Sequence, residues 1–202
     1  KEKILIELEV LLRDIHCCSK VNIFFISGQS KYLVSNDSLR ESMYCLAILL
    51  EKALANNLQL HDSIESTGLA QKDIGYLYNE YCQQLWNEYI KNRGGFSYEK
   101  DEEGRKVWVG YQYRLWCYDF QSWIYNDSDG NIIFEMTPMY TTHYDDKEFE
   151  YSVLYEQWIK DYKPFLKRKI PRNVAQEWLL QANKILQQLE ENVQRMLSNG
   201  TF

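Results

Sequence analysis

Residues 106–138 read KVWVGYQYRLWCYDFQSWIYNDSDGNIIFEMTP, and the way this stretch pairs with itself decides the fold. From Val107 to Tyr118 the side chains fall into two alternating sets, as they must on the two faces of a strand. Val107, Val109, Tyr111, Tyr113, Leu115 and Cys117 carry no charge and make the expected core side. Trp108, Gly110, Gln112, Arg114, Trp116 and Tyr118 mix large rings with an amide and a guanidinium, which is the pattern of a partly covered side.

Upstream, Asp101-Glu102-Glu103-Gly104 is turn chemistry, and a two-residue Glu103-Gly104 loop predicts Tyr98 opposite Val109 and Phe96 opposite Tyr111. Downstream, a type I′ turn at Asp129-Gly130 predicts Tyr125 opposite Phe134 and Trp123 opposite Met136. Pro138 ends the ladder because it has no N–H to donate.

Outside this meander the spacing is mostly helical. Ile4, Leu8, Leu11, Leu12 and Ile15 recur at three- and four-residue steps, predicting an N-terminal helix. Val21 to Ile26 is β-branched and aromatic, predicting a strand that pairs with 32–34. Ser38 and Glu41 form a capping box for a helix from 39 to about 55. Ile74, Leu77, Tyr78, Tyr81, Cys82, Leu85, Trp86 and Tyr89 mark another helical face, and Tyr151, Leu154, Tyr155, Trp158 and Tyr162 a third, closed by Pro164. The longest helix follows Pro171, with Val174, Trp178, Ala182, Ile185, Leu189, Val193 and Met196 on its stripe and Gly200 beyond its end. The expected fold is therefore one α+β domain over 1–202. It has a mostly helical N-terminal half, a four-stranded antiparallel meander from about 96 to 137, and two C-terminal helices packed on the sheet.

Composition narrows the function classes. Of 202 residues 45% are hydrophobic and 15% aromatic, with 16 tyrosines against 3 prolines, which fits a packed domain whose surface carries many amphipathic rings. A net charge of −6 argues against broad binding to nucleic-acid phosphates and favours a basic partner. The basic set Lys160, Lys163, Lys167, Arg168, Lys169 and Arg172 is interleaved with acids and reads as a solvated face. Five cysteines, an odd number with no C-x-x-C pair, point to free thiols and a cytoplasmic setting. No apolar run approaches the roughly 20 residues of a membrane span. The first residue is Lys1, so a removed leader stays an open alternative.

No motif for chemistry has the spacing its chemistry needs. Aligning Gly130 with the glycine of a calcium loop puts Tyr125 at the first ligand position and Met136 at the twelfth, where carboxylates are required. Ser27-Gly28-Gln29-Ser30 lacks the second glycine of a nucleophile elbow, and His16-Cys17-Cys18 lacks a separate base. Glu135, His143, Asp145, Asp146 and Glu148 are the densest set of possible metal ligands or acid/base groups, and consecutive acids before a helix are also what its dipole favours. Trp108, Arg114, Trp116 and Tyr118 are the expected binding residues, because rings and guanidinium groups dominate binding hot spots. The expected function is a non-enzymatic, cytoplasmic, protein-binding domain of the inhibitor or immunity type, with no cofactor, acting by occlusion through this aromatic and Arg surface. It is a monomer, or a homodimer through the C-terminal helix. The alternatives are a metal-dependent hydrolase using 135–148, with Glu135, His143, Asp145 and Asp146 as ligands, and a carbohydrate-like ligand binder on the aromatic face.

Overall fold

The computed structural model describes residues 2–7, 19–60, 73–91, 109–118, 120–140 and 148–198, without the side chains of 88–90, 109 and 148–153. The class is α+β, but the described residues form two antiparallel sheets where one meander was expected. The first sheet, in the order β1-β2-β3, contains β1 (Lys3–Glu7), β2 (Lys20–Ser27) and β3 (Ser30–Ser38). Helices α1 (Leu39–Leu54) and α2 (Ile74–Lys91) follow. The second sheet, in the order β4-β5-β6-β7, contains β4 (Arg114–Cys117), β5 (Phe120–Asn126), β6 (Ile132–Pro138) and β7 (Leu166–Ile170). Helix α3 (Glu148–Lys160) lies between β6 and β7 in sequence, and α4 (Arg172–Ser198) closes the described chain.

The first sheet corrects the expected N-terminal helix. Ile4 and Ile6 suit a strand as well as a helix, since they are two apart, and they pair with Phe25 and Ile23 to place four apolar side chains on one face. Residues 8–18, the rest of the proposed helical stripe, lie outside the described residues. The 21–26 and 32–34 strands form as a hairpin whose turn holds Gly28 at φ 62. Ser38 caps α1 through its hydroxyl, which accepts from the Glu41 N–H at 3.4 Å. The reciprocal half of the box is made differently: the Ser38 N–H donates to Asp37 Oδ1 at 2.7 Å, and Glu41 turns to Arg40 instead.

In the second sheet the 96–104 hairpin partner falls outside the described residues, as does Trp108. Val109–Tyr113 is a 3-10 turn rather than strand, so the alternation predicted over 107–118 breaks down. It breaks again within β4, where Leu115 and Trp116 are both buried. Ser122 causes this, since its hydroxyl takes the Trp116 N–H and donates to the Trp116 carbonyl, both at 3.0 Å, at an irregularity in the ladder. The β5–β6 register is one residue off the predicted one, with Tyr125 opposite Ile133 and Trp123 opposite Glu135. Asp127 lengthens the turn by accepting from the N–H groups of Asp129 and Asn131, and Gly130 then sits at φ 76.

Nearly every residue of β5 and β6 is buried, because both faces of this sheet are covered. Phe134 stacks on Phe25 of the first sheet, and Asn126 donates to Ala53 O of α1. On the opposite face Trp123 meets Tyr78 of α2, and Gly75 lets α2 approach so closely that any Cβ there would overlap the Thr137 and Tyr162 side chains. The closing helices serve different layers, contrary to expectation. Tyr155 and Trp158 of α3 pack on Tyr140 beside α2, whereas α4 runs along α1 and sets Trp178 edge-on to Phe25.

Candidate functional site

Two groups of polar and aromatic side chains stand out, one at the surface and one around a buried carboxylate. The first is centred on Arg114 at the start of β4. Its guanidinium is exposed and lies 5.0 Å over the Tyr111 ring. Tyr111 in turn meets Tyr78 and Tyr81 of α2 edge-on, each with centroids 6.1 Å apart. The 3-10 turn makes this possible, because it swings Tyr111 off the ladder toward the helix while Tyr113 turns inward and donates to Gln59 O at 2.6 Å. Burial, followed by the charge of Cys82, pushes the Tyr111 hydroxyl above its ordinary value. The ring is therefore an uncharged platform under a cation, an arrangement stabilised by the ring quadrupole.

Thiols border this edge. Burial also raises Cys45 on α1 and Cys82 on α2, with the Arg114 charge acting against it at both. Cys117 is exposed, and the Gln121 amide donates to its sulfur at 2.8 Å and to the Met139 sulfur at 3.2 Å.

Of the four residues expected to bind, the structure keeps Arg114 and Tyr118 at the surface, Tyr118 being 44% exposed. Trp116 is turned inward: it is 5% exposed and its indole N–H donates to Ser42 O of α1 at 3.1 Å. Trp108 lies outside the described residues. What the sequence missed is Tyr111 and Tyr81, assigned to a core face and a helix face. A glycine beside Tyr111 in an aromatic run was a signal that the strand is interrupted there.

The second group surrounds a buried carboxylate on the α2 face of the second sheet. Glu135 of β6 is 0% exposed, and its Oε2 accepts from the Tyr125 hydroxyl at 2.8 Å. Lys167 of β7, directly opposite Glu135 in register, places its ammonium 3.6 Å from Oε2 and 2.7 Å from Asp73 Oδ1 at the start of α2. The other oxygen, Oε1, has no hydrogen-bond partner among the described residues. Burial raises the Glu135 pKa to about 7; Lys167, the Tyr125 bond and the Gly75 N–H pull it down and Asp73 adds to the rise. For Lys167 burial lowers the pKa, but the Asp73 bond and the Glu135 charge outweigh that and raise it.

Of the weaker metal set, Glu135 is buried, accepts from the Tyr125 hydroxyl and lies beside the Lys167 ammonium. His143, Asp145 and Asp146 lie outside the described residues. Among the described residues no three His, Cys, Asp or Glu side chains are grouped to hold a metal. A single acid inside the apolar run Ile132-Ile133-Phe134-Glu135-Met136 was the signal for a buried carboxylate, which must bring its own cation. Comparison with known families, curated proteins and solved structures finds no match to this chain.

Proposed function

We propose that the chain is a protein-binding domain of the inhibitor or immunity type, whose contact surface is the edge carrying Arg114, Tyr111, Tyr81 and Tyr118. The observation that supports this reading is the exposed Arg114 guanidinium held over the Tyr111 ring, which Tyr78 and Tyr81 prop from α2. Such a surface loses little side-chain freedom on binding, because ring and guanidinium are already ordered, and these residue types contribute most where interfaces are tightest. The net charge of −6 favours a basic partner through long-range attraction. Occlusion of the partner needs no catalytic group here. The apolar stripe of α4 is used against α1, which favours a monomer. Cys45, Cys82 and Cys117 are free thiols, as suits the cytoplasm. No helix among the described residues is long and apolar enough to cross a membrane.

The test compares immobilised wild-type chain with an Arg114→Glu/Tyr118→Ala chain, both exposed to the same cell extract and read by quantitative mass spectrometry. A basic protein held stoichiometrically by the wild type and lost by the variant is the expected result, to be followed by titration calorimetry with the purified pair. Equal retention by both chains would remove this edge as the contact surface. A change in tryptophan fluorescence on titration with a sugar panel, without any protein partner, would favour the small-ligand alternative.

A further inference from the structure

The group around Glu135 is built unlike a permanent salt bridge. One ammonium, Lys167, serves two carboxylates, the part-exposed Asp73 and the fully buried Glu135, so the ionised set is net negative with one of its charges inside the protein. Lys167 sits nearer Asp73, and one Glu135 oxygen has no described partner. The set lies where α2 docks: the carbonyl of Asp73 accepts from the Tyr76 and Leu77 N–H groups of the first turn, and Gly75 touches β6 beside Glu135.

We propose that Asp73, Lys167 and Glu135 form a proton-operated latch that fastens the start of α2 to the second sheet, tightening when the Glu135 carboxylate takes a proton from solvent and slackening when it releases it. Uptake converts the set from net negative to neutral. Lys167 is then left to Asp73 alone, the stronger of its two contacts, and an unmet neutral oxygen costs less than an unmet charged one. The titratable groups that face Glu135 are known on each packed element: Tyr125 from β5, Lys167 from β7, Asp73 from α2, and Tyr162 from the turn after α3. Burial pushes both tyrosines up, out of the neutral range, and the Asp73 bond and Glu135 charge hold Lys167 cationic. Glu135 is thus the member that changes charge near neutrality. Tyr78 and Tyr81 lie one and two turns further along α2, so the latch governs the helix that backs the Arg114 edge.

Carbon NMR of the Glu135 side-chain carboxyl in the wild-type chain gives the first reading, with a midpoint near 7 expected; one near the ordinary 4.5 overturns the proposal. Amide hydrogen exchange gives the second. With Glu135 shifted from 4.5 in the open state to about 7 in the closed one, protection of α2 amides 76–79, corrected for intrinsic rates, should be about tenfold greater at pH 6 than at pH 8. Amides 178–189 of α4 serve as the internal control, and an equal change there means global loosening and no latch. Glu135→Gln should remove the pH dependence at 76–79. A pH dependence that survives this substitution also overturns the proposal.

Discussion

Phe25 and Phe134 stack with ring centroids 4.1 Å apart and planes 13° from parallel, and both are fully buried. Phe25 belongs to the first sheet and Phe134 to the second, so this contact joins the two sheets, and Trp178 of α4 closes on it at 6.2 Å. Removing either ring opens a cavity between layers that cannot collapse without shifting a whole sheet. Phe134→Ala and Phe25→Ala should each cost about 3 to 5 kcal/mol, measured by denaturant unfolding. Coupling in the double variant should make its loss smaller than the sum.

Trp116 and Arg114 lie on one short strand and should separate completely in the same measurement. Trp116→Ala removes a buried indole and leaves Ser42 O without its donor, for a loss of about 3 to 5 kcal/mol. Arg114→Ala, at an exposed position, should stay within about 0.5 kcal/mol of wild type. A small loss for Trp116→Ala would mean that α1 does not cover this ring.

Gly75→Ala sets two effects against each other. Alanine gains at most about 1 kcal/mol of helix propensity. Its Cβ overlaps the Thr137 and Tyr162 side chains, which sit on different elements and cannot both withdraw. Overpacking of this kind costs roughly 1 to 3 kcal/mol or more, so a net loss is expected, read as a lowered Tm. Thr137→Ala alone should not rescue it, because the Tyr162 hydroxyl still occupies the space.

The pH dependence of stability has a definite sign at Glu135. Its folded pKa of about 7 stands above the unfolded 4.5, so its contribution is fully present below pH 4.5 and is lost as pH rises through 7. The difference amounts to about 3 kcal/mol for a shift of this size. Unfolding curves for wild type and Glu135→Gln should therefore diverge with rising pH, the variant being relatively more stable at pH 8 than at pH 5. Lys167→Met should be worse than Glu135→Gln/Lys167→Met at pH 8, since only the single variant leaves both carboxylates without a cation.

Gly130→Val tests the β5–β6 turn. A β-branched side chain at φ 76 is strained, and its Cβ would press on the Asn56 side chain, 3.2 Å away at Oδ1. A loss of about 1 to 3 kcal/mol in unfolding free energy is expected.

Much of this architecture is legible in the sequence wherever one local rule acts alone. Ser38 and the stripe from Leu39 to Leu54 specify α1, and Pro171 with the steps from Val174 to Met196 specifies α4. The readings fail where a distant group overrides a local pattern. Ser122 twists β4 and buries Trp116 beside Leu115, which no alternation rule anticipates. Asp127 binds two backbone donors and moves the hairpin register by one. In β7 the run Leu166-Lys167-Arg168-Lys169-Ile170 looks like a solvated basic face. It becomes a strand because β6 offers an edge, and Lys167 then answers Glu135. At the candidate binding edge, Arg114 and Tyr118 could be read from residue type, whereas Tyr111 and Tyr81 depend on a 3-10 turn meeting a helix distant in sequence.

The pairing of α1 with α4 also has a consequence for the chain as it is made. Helix α1 is complete once Leu54 has emerged, but the helix that covers its flank ends at Ser198. At roughly 5 to 20 residues per second, that interval is on the order of ten seconds. The first sheet and α1 can form early from neighbouring segments, yet they cannot be sealed vectorially. Throughout that time the nascent chain carries an uncovered apolar helix, and chaperone capture or association between neighbouring nascent chains competes with completion of the fold until α4 arrives.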